Sequence, residues 1–124
     1  KNESMIISKT IVGSMIEDFA KISGDFNPIH INNEYAKTTK FKNRICHGMF
    51  LGSLISQYIS KEFPMSIYLS QSLFFHKPCY INDKIKISGK ILDSSENKIT
   101  IRTTITRNED IIVDGIAKIV IKKS

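Results

Sequence analysis

The 124-residue sequence has few of the features that build metal sites, disulfide frameworks or membrane spans. Its two cysteines form no framework pattern and no Cys-x-x-Cys, and its three histidines are too widely spaced for a zinc signature. No apolar run approaches the roughly 20 residues that cross a bilayer, and no signal-like apolar segment follows Lys1–Ser4. We therefore expect a cytoplasmic protein with free thiols, no metal and no membrane contact.

The basic residues are in excess but are not arranged for binding nucleic acid. The formal net charge is +6, without an arginine cluster or an interleaving of basic and aromatic residues. A lysine-rich surface accounts for this charge, and a phosphate-bearing small molecule is compatible with it. Hydrophobic content of 41% and charged content of 24% are ordinary for a globular protein. The length suits one domain over residues 1–124.

The first half of the sequence is mainly helical in pattern. Residues 4–11 are β-rich and predict a short strand. Ser14, with Glu17 three residues later, fits a capping box, and Gly24 is a helix stop signal, so we predict a helix between them. The longest helical pattern is Gly48–Ser60, whose apolar residues leave little polar face. We expect this segment to be a central, buried helix.

The second half reads as strands. One apolar, strand-like segment is followed by three segments in which apolar residues alternate with polar ones. Short polar joints between the last three suit antiparallel hairpins. The pattern predicts an α+β architecture, with one antiparallel sheet wrapped around the central helix and its edges free to extend across a dimer. The predicted strands are Ser66–Lys77, Asp83–Leu92, Lys98–Thr106 and Ile111–Ile121.

Asp25 and His30 are the first candidates for chemistry, because they lie five positions apart on a stretch that Pro28 stiffens. A carboxylate and an imidazole in one pocket can hold a water. One group removes its proton as it attacks, the other delivers a proton to the adjacent atom, and the rate rises by roughly 10²–10⁴. The alternative is a tight turn, in which Asp25 and Asn27 bond backbone amides. Spacing alone leaves both interpretations open.

The start of the predicted central helix supplies a second candidate. Unpaired N–H groups at a helix N-terminus stabilise a developing oxyanion, and Gly48 would offer one. Otherwise its glycine only permits close packing. Ser56 lies eight residues later on roughly the same face, where it hydrogen-bonds the catalytic pair or the substrate, or else bonds its own backbone. We interpret His47 as a structural hydrogen-bonding residue near the site and His76 as a surface residue.

Together these motifs resemble the MaoC-like dehydratases, and in particular the (R)-specific enoyl-CoA hydratases. The hydratase signature, Ser-Gly-Asp-x-Asn-Pro-Ile-His followed by alanine, is matched within Ser23–Ala36. The sequence Ile-Cys-His-Gly-Met follows at Ile45–Met49, and the similarity continues from Ser66–Leu73 through the final strand. One departure is Lys61–Met65, which lacks the glycines often found there and leaves the acyl-length preference in doubt.

The resemblance implies a hot-dog fold that dimerises through its sheet edge. It implies reversible syn addition of water to a trans-2-enoyl-CoA, which gives the (R)-3-hydroxyacyl-CoA. By the family pattern Asp25 and His30 are the catalytic pair, and the backbone N–H of Gly48 polarises the thioester carbonyl. Asn27 shapes the catalytic loop and Ser56 lies near the active site. Neither a metal nor a redox cofactor is implied, since coenzyme A is part of the substrate, and its phosphates give the lysines a use.

Two other functions stay open at this point. A 3-hydroxyacyl-carrier-protein dehydratase of fatty-acid synthesis would share the site and differ in its substrate. A non-catalytic module that binds acyl thioesters would share only the fold, because fold alone does not determine function. The intact pair of Asp25 and His30 favours an enzyme.

Overall fold

The computed structural model describes residues 5–121, which form four helices and six strands. The predicted strand over residues 4–11 is shorter than expected, and residue 4 lies outside the described part. No helix in this part is long and apolar enough to cross a membrane. In chain order the elements are β1 (Ile7–Thr10), α1 (Gly13–Ser23), α2 (Pro28–Ile31), α3 (Asn33–Lys37), α4 (Gly48–Glu62), β2 (Ser66–Gln71), β3 (Phe74–Phe75), β4 (Lys84–Ser95), β5 (Lys98–Arg107) and β6 (Asp110–Ile121).

The strands form one antiparallel sheet in the order β1-β4-β5-β6-β2, and β3 also pairs with β6. Tight turns join β4 to β5 and β5 to β6, with Glu96 and Asn108 at positive φ angles of 56° and 57°. The register aligns Ile87, Ile105 and Val113 across three strands, and all three are fully buried. The alternation read from the sequence identifies this part of the buried face correctly. Ile91 and Ile111, which the same alternation assigns to that face, are 52% and 38% exposed, and a register shift lies beside each of them.

The sheet curls around α4, as the hot-dog expectation requires. The helix begins at Gly48, as predicted, and runs to Glu62, two residues past the predicted end. Burial of each large apolar side chain contributes about 1.5–3 kcal/mol, so this contact is a major source of stability. The buried residues of α4 are Phe50, Leu51, Leu54, Ile55, Tyr58 and Ile59.

The predicted capping box at the start of α1 is wrong. The helix begins at Gly13, and its N-cap Val12 makes no side-chain capping bond. Ser14 therefore lies inside the first turn, where its hydroxyl cannot cap the helix. Glu17 faces Arg44 instead, at 3.6 Å, and this ion pair ties α1 to the loop before α4. The Glu17 carboxylate, which the capping-box motif assigns to the helix end, is therefore paired with Arg44 from a distant segment.

The predicted end of α1 is confirmed, and it sets the entry to the candidate site. Gly24 has φ 80°, and its N–H donates to the carbonyl of Ala20 at 2.9 Å. This left-handed conformation favours glycine. The chain reverses there and delivers Asp25 to the loop that follows.

The predicted strand Ser66–Lys77 is split into β2 and β3 by a close approach to β6. A Cβ atom on Gly115 would lie 1.8 Å from the backbone oxygen of Ser72, so the chain crosses where β6 has no side chain. Two bonds hold this crossing: the N–H of Ser72 donates to the oxygen of Ile116 at 2.9 Å, and the N–H of Ile116 donates to Oγ of Ser72 at 2.8 Å.

Candidate active site

His30 lies on the single turn of α2 and is buried, with 9% of the residue exposed. Its Nδ1 is 2.8 Å from the backbone oxygen of Ile45. A carbonyl can only accept, so Nδ1 carries the hydrogen and Nε2 carries a lone pair. Burial lowers the pKa of His30 from 6.5, and His47 lowers it further, against the opposing effects of the Ile45 bond and Asp25. His30 is therefore a neutral base at neutral pH.

Asp25 faces His30 across a gap. Its Oδ2 lies 4.0 Å from Nε2 of His30, which is too long for a direct hydrogen bond. One water oxygen can bond both groups at this separation. The Asp25 side chain is 44% exposed, while that of His30 is 11% exposed, so water reaches the gap from the carboxylate side. The structure thus brings the predicted pair together at a separation that one water can bridge.

Asn27 connects the pair through its main chain. Its N–H donates to Oδ1 of Asp25 at 3.1 Å, and its carbonyl accepts from the N–H of His30 at 2.9 Å. The Asn27 side chain is exposed and makes no capping bond at α2. The turn interpretation and the catalytic interpretation therefore describe the same loop, because the turn positions the two side chains.

His47 holds this loop against the core. Its Nε2 donates to the backbone oxygen of Asp25 at 2.9 Å, which confirms the predicted structural hydrogen bond. Its ring stacks on His30 with centroids 4.0 Å apart, and the edge contact with Phe19 has centroids 4.9 Å apart. The residue is 1% exposed, and its Nδ1 has no hydrogen-bond partner among residues 5–121. His47 therefore fixes the positions of both Asp25 and His30.

These three side chains are close enough together to be considered as metal ligands. One donor atom from each of Asp25, His30 and His47 lies within 4.8 Å of the others. However, the two imidazole planes differ by only 23° in a stacked pair, and a nitrogen lone pair lies in its ring plane. Two stacked rings cannot both direct lone pairs at one ion about 2.0–2.1 Å away. The arrangement suits proton transfer better than metal binding.

The start of α4 presents a free backbone donor beside the pair. The first backbone bond of this turn runs from the N–H of Phe50 to His47 at 3.1 Å, and the N–H of Gly48 has no partner among the described residues. Gly48 and His30 line one cavity of about 370 Å³, here called the His30 cavity. A Cβ atom on Gly48 would lie 3.0 Å from the ring of Phe75, so close packing also favours glycine.

Ser56 lines a different cavity from His30 and Gly48. It lines a second depression of about 510 Å³, the α4–β2 groove, between Met49–Ser56 on α4 and Tyr68–Leu73. Ser56 is roughly 12 Å along the helix axis from Gly48, at about 1.5 Å per residue. The structure therefore puts Ser56 on the wall of an adjoining groove, and no hydrogen bond joins it to Asp25 or His30 among the described residues.

The His30 cavity has a basic rim formed by His76 and Lys77. Nε2 of His76 is 2.9 Å from Asp114, which also accepts from Arg102 at 2.7 Å. The Arg102 bond, followed by the His76 bond, holds the pKa of Asp114 below its ordinary value. Lys77 pairs with Asp110 at 3.2 Å. His76 is half-exposed, as predicted, and each side chain of the rim is paired with a carboxylate.

Comparison with known proteins identifies the family. Residues 4–113 match the family described as MaoC like domain. The chain belongs to this family. The match confirms the resemblance carried by the Ser23–Ala36 and Ile45–Met49 motifs.

The relatives of this MaoC-like protein are hydratases and dehydratases. An (R)-specific enoyl-CoA hydratase of Rhodospirillum rubrum is 36% identical over 125 residues, covering 98% of this chain and 87% of that protein. A mitochondrial 3-hydroxyacyl-[acyl-carrier-protein] dehydratase of Arabidopsis thaliana is 36% identical over 106 residues; the match covers 81% of this chain but only 64% of the plant protein. The unliganded R-hydratase of Pseudomonas aeruginosa has a TM-score of 0.92 at 34% identity, covering 98% of this chain and 81% of that one. The fold is therefore the hot-dog fold, and the family is one of hydro-lyases.

The hydrogen bonds that join His76, Asp114 and Arg102 beside the rim of this MaoC-like protein could not be predicted from sequence. Arg102 and Asp114 come from different strands, and His76 precedes both by more than twenty residues. A register that sets Arg102 opposite Ile116 brings the guanidinium within reach of Asp114. The available signal was the run His-Lys-Pro after β3, but its role depends on which cavity it borders.

The two cysteines of the MaoC-like protein are structural neighbours. Both are free and buried, and the N–H of Cys46 donates to the oxygen of Cys79 at 2.7 Å. The bond from the Cys79 side chain, together with burial, raises the pKa of the Cys46 thiol far above its ordinary value. A thiol in this state is not a nucleophile, because the thiolate is the reactive form.

Proposed function

We propose that this MaoC-like protein is an (R)-specific enoyl-CoA hydratase. The observation that carries the proposal is the 4.0 Å gap between Oδ2 of Asp25 and Nε2 of His30. The gap opens near the unpartnered N–H of Gly48, which lines the same cavity as His30. Curated relatives from two bacteria carry this activity as their name.

In the proposed step a water in the gap attacks C3 of a trans-2-enoyl thioester. The lone pair on Nε2 of His30 takes one water proton while the water oxygen bonds to C3. The C2=C3 electron pair moves toward the thioester carbonyl oxygen, where the N–H of Gly48 stabilises the negative charge. The proton on His30 then passes to C2 as the carbonyl reforms.

Asp25 has a supporting part in this step. Its carboxylate orients the water and stabilises the His30 imidazolium that forms during the attack. Because one water and one base serve both carbons, the hydroxyl and the hydrogen arrive on the same face, which is a syn addition. Removal of either residue should cost about 10²–10⁴ in rate.

The proposed reaction needs neither a metal nor a redox cofactor. The thioester carbonyl activates the double bond, and every proton donor or acceptor in the step is a protein group or water. Coenzyme A enters as part of the substrate. We propose that the basic rim, His76 and Lys77, faces its phosphates, which would give part of the +6 charge a function.

We further propose that two copies of the chain associate along β2. This strand is an edge of the sheet, and Ile67 and Leu69 on it are 48% and 53% exposed. An exposed apolar edge strand is a template for pairing with a second chain. Sedimentation of the protein should give a dimer, and Ile67→Glu should shift it toward monomer. The buried free cysteines suit a reducing compartment, so a cytoplasmic dimer is the proposed form.

The direct test follows the loss of enoyl absorbance from crotonyl-CoA. Wild type should hydrate it, whereas Asp25→Asn and His30→Ala should lose about 10²–10⁴ in kcat/KM while remaining folded. Asp18→Asn is the matched control, since Asp18 is an exposed carboxylate on α1. Activity of either site variant within about threefold of wild type would contradict the assignment.

A dehydratase acting on 3-hydroxyacyl-carrier-protein thioesters is the second candidate. The Arabidopsis relative with that name is the observation that favours it. The same acid/base step, run in reverse, removes water from such a substrate. Comparison of kcat/KM for the CoA and carrier-protein thioesters of one acyl chain separates the two candidates. Tight acyl-CoA binding without turnover would instead indicate a non-catalytic binding module.

A further inference from the structure

The α4–β2 groove runs away from the Gly48 end of α4 in a fixed direction. A Cβ atom on Gly48 would meet Phe75, and one on Gly52 would lie 2.9 Å from the Leu73 side chain. Moving from Gly48 to Gly52 along α4 therefore moves backwards from Phe75 to Leu73, so this segment runs antiparallel to the helix. Two residues of extended chain cover about the same distance as one helical turn. Continued by one more turn, this register sets Gln71 level with Ser56.

The lining of the groove suits an uncharged chain. Gly52, Ser53 and Ser56 are small and form one wall, and no charged side chain of residues 5–121 lines the groove. The His30 cavity differs, because Lys77 stands on its rim. A thioester bound at Gly48 would therefore direct its acyl chain along the groove and its phosphate-bearing end toward the rim.

A chain of hydrogen bonds fixes two lining residues of the groove, Tyr68 and Gln71. Tyr68 donates from its hydroxyl to Oε1 of Gln71 at 2.7 Å. Nε2 of Gln71 donates to the oxygen of Ser72 at 2.9 Å and to Oγ1 of Thr103 at 3.0 Å. Thr103 is fully buried and donates to the oxygen of Gly115 at 3.2 Å. Burial raises the pKa of Tyr68 to about 12, so its hydroxyl remains a donor at physiological pH.

We propose that Tyr68, anchored by Gln71, ends the groove and limits the substrate to medium acyl chains. This inference rests on the proposed hydratase function. The Tyr68–Gln71 bond is level with Ser56, about 12 Å along α4 from Gly48 at about 1.5 Å per residue. An extended hydrocarbon advances about 1.25 Å per carbon, from C–C bonds of about 1.52 Å near 111°. The groove therefore accommodates about eight to ten carbons.

The test measures kcat/KM for trans-2-enoyl-CoA substrates of four to twelve carbons. Each methylene up to the limit should raise kcat/KM by about three- to fourfold, because it buries apolar surface. Wild type should peak at about eight to ten carbons and fall beyond. Tyr68→Ala should raise the ratio of kcat/KM for C12 to that for C4 at least tenfold. Tyr35→Ala, which truncates an exposed tyrosine of α3, should follow wild type.

A second variant and a binding measurement distinguish a failure of this inference from a failure of folding or of the proposed function. Tyr68→Leu keeps an apolar side chain but shortens it, so it provides the test if the alanine variant does not fold. Calorimetric binding of butyryl-, octanoyl- and dodecanoyl-CoA probes the groove without turnover. A length limit in binding without hydration would refute the proposed function but support this inference. A C12-to-C4 ratio that changes less than twofold in a folded Tyr68 variant, in rate and in binding, would overturn it.

Discussion

Replacement of Gly48 by proline would remove one backbone hydrogen and leave α4 in place. Gly48 is the first helical residue, a position where proline is favoured because its missing N–H has no helical partner. His47, which precedes it, has φ −60° and ψ 137°, the extended region that a residue before proline prefers. The variant therefore deletes the proposed oxyanion donor without a change in the helix.

The expected loss follows from the role of that donor. Removal of one oxyanion donor costs about 10²–10³ in kcat, or roughly 2.7–4 kcal/mol. Proline also adds carbon atoms next to Phe75, whose ring would lie 3.0 Å from a new Cβ. Phe75 is 51% exposed, so its ring can move outward at modest cost. Gly48→Ala is the matched control, because it adds the Cβ and keeps the N–H; we expect it within about tenfold of wild type.

The assay compares initial rates on crotonyl-CoA for the two Gly48 variants. The ratio of their kcat values isolates the donor, and KM should change little because the charge develops only in the transition state. Circular dichroism and thermal unfolding check that both variants retain the fold. If Gly48→Pro retains a kcat within about threefold of Gly48→Ala, Gly48 does not supply the oxyanion donor.

Three further predictions concern His30 and the glycines. Because burial lowers the pKa of His30 from 6.5, kcat/KM should be level above pH 6.5, with an acid limb whose midpoint lies lower; a midpoint at or above 6.5 contradicts the assignment. The unfolded state then binds a proton more readily, so the free energy of unfolding should fall as pH drops below 6.5, and urea titrations of His30→Gln should lack that contribution. Gly115→Ala should lower the free energy of unfolding by about 3 kcal/mol or more, since its Cβ would lie 1.8 Å from a backbone oxygen. Gly24→Asn, at φ 80°, should change the free energy of unfolding by no more than about 1 kcal/mol in the same urea titrations, because asparagine also adopts this conformation.

Short-range sequence patterns were enough to predict the elements in which a hydrophobic pattern repeats along the chain. Alternation located the buried face of β4 to β6, and an apolar pattern without a polar face located α4. The pair of Asp25 and His30 was visible because both residues lie in one loop, five positions apart. In each case the determining contacts are close in sequence, or the pattern repeats often enough to outweigh a local exception.

Long-range contacts account for what the sequence did not reveal. Ser14 does not cap α1, because the helix starts earlier and Glu17 pairs with Arg44. β2 and β3 are separate because Gly115, far along the chain, admits the backbone of the segment between them. The bond from Gln71 to Thr103 joins residues 32 positions apart. The last two contacts depend on a register that exists only after the sheet has formed.

The tautomer of His30 is set by the main-chain carbonyl of Ile45, so it does not depend on which side chain position 45 carries. Any residue at position 45 presents the same oxygen to Nδ1, and the base keeps its lone pair on Nε2 through changes of side chain there. Only a shift of the backbone could alter it, and that backbone is anchored by the bridge between Ile45 and Tyr80 and by the bond from Cys46 to Cys79. A change of the side chain at position 45 should therefore leave the proton acceptor of His30 on Nε2.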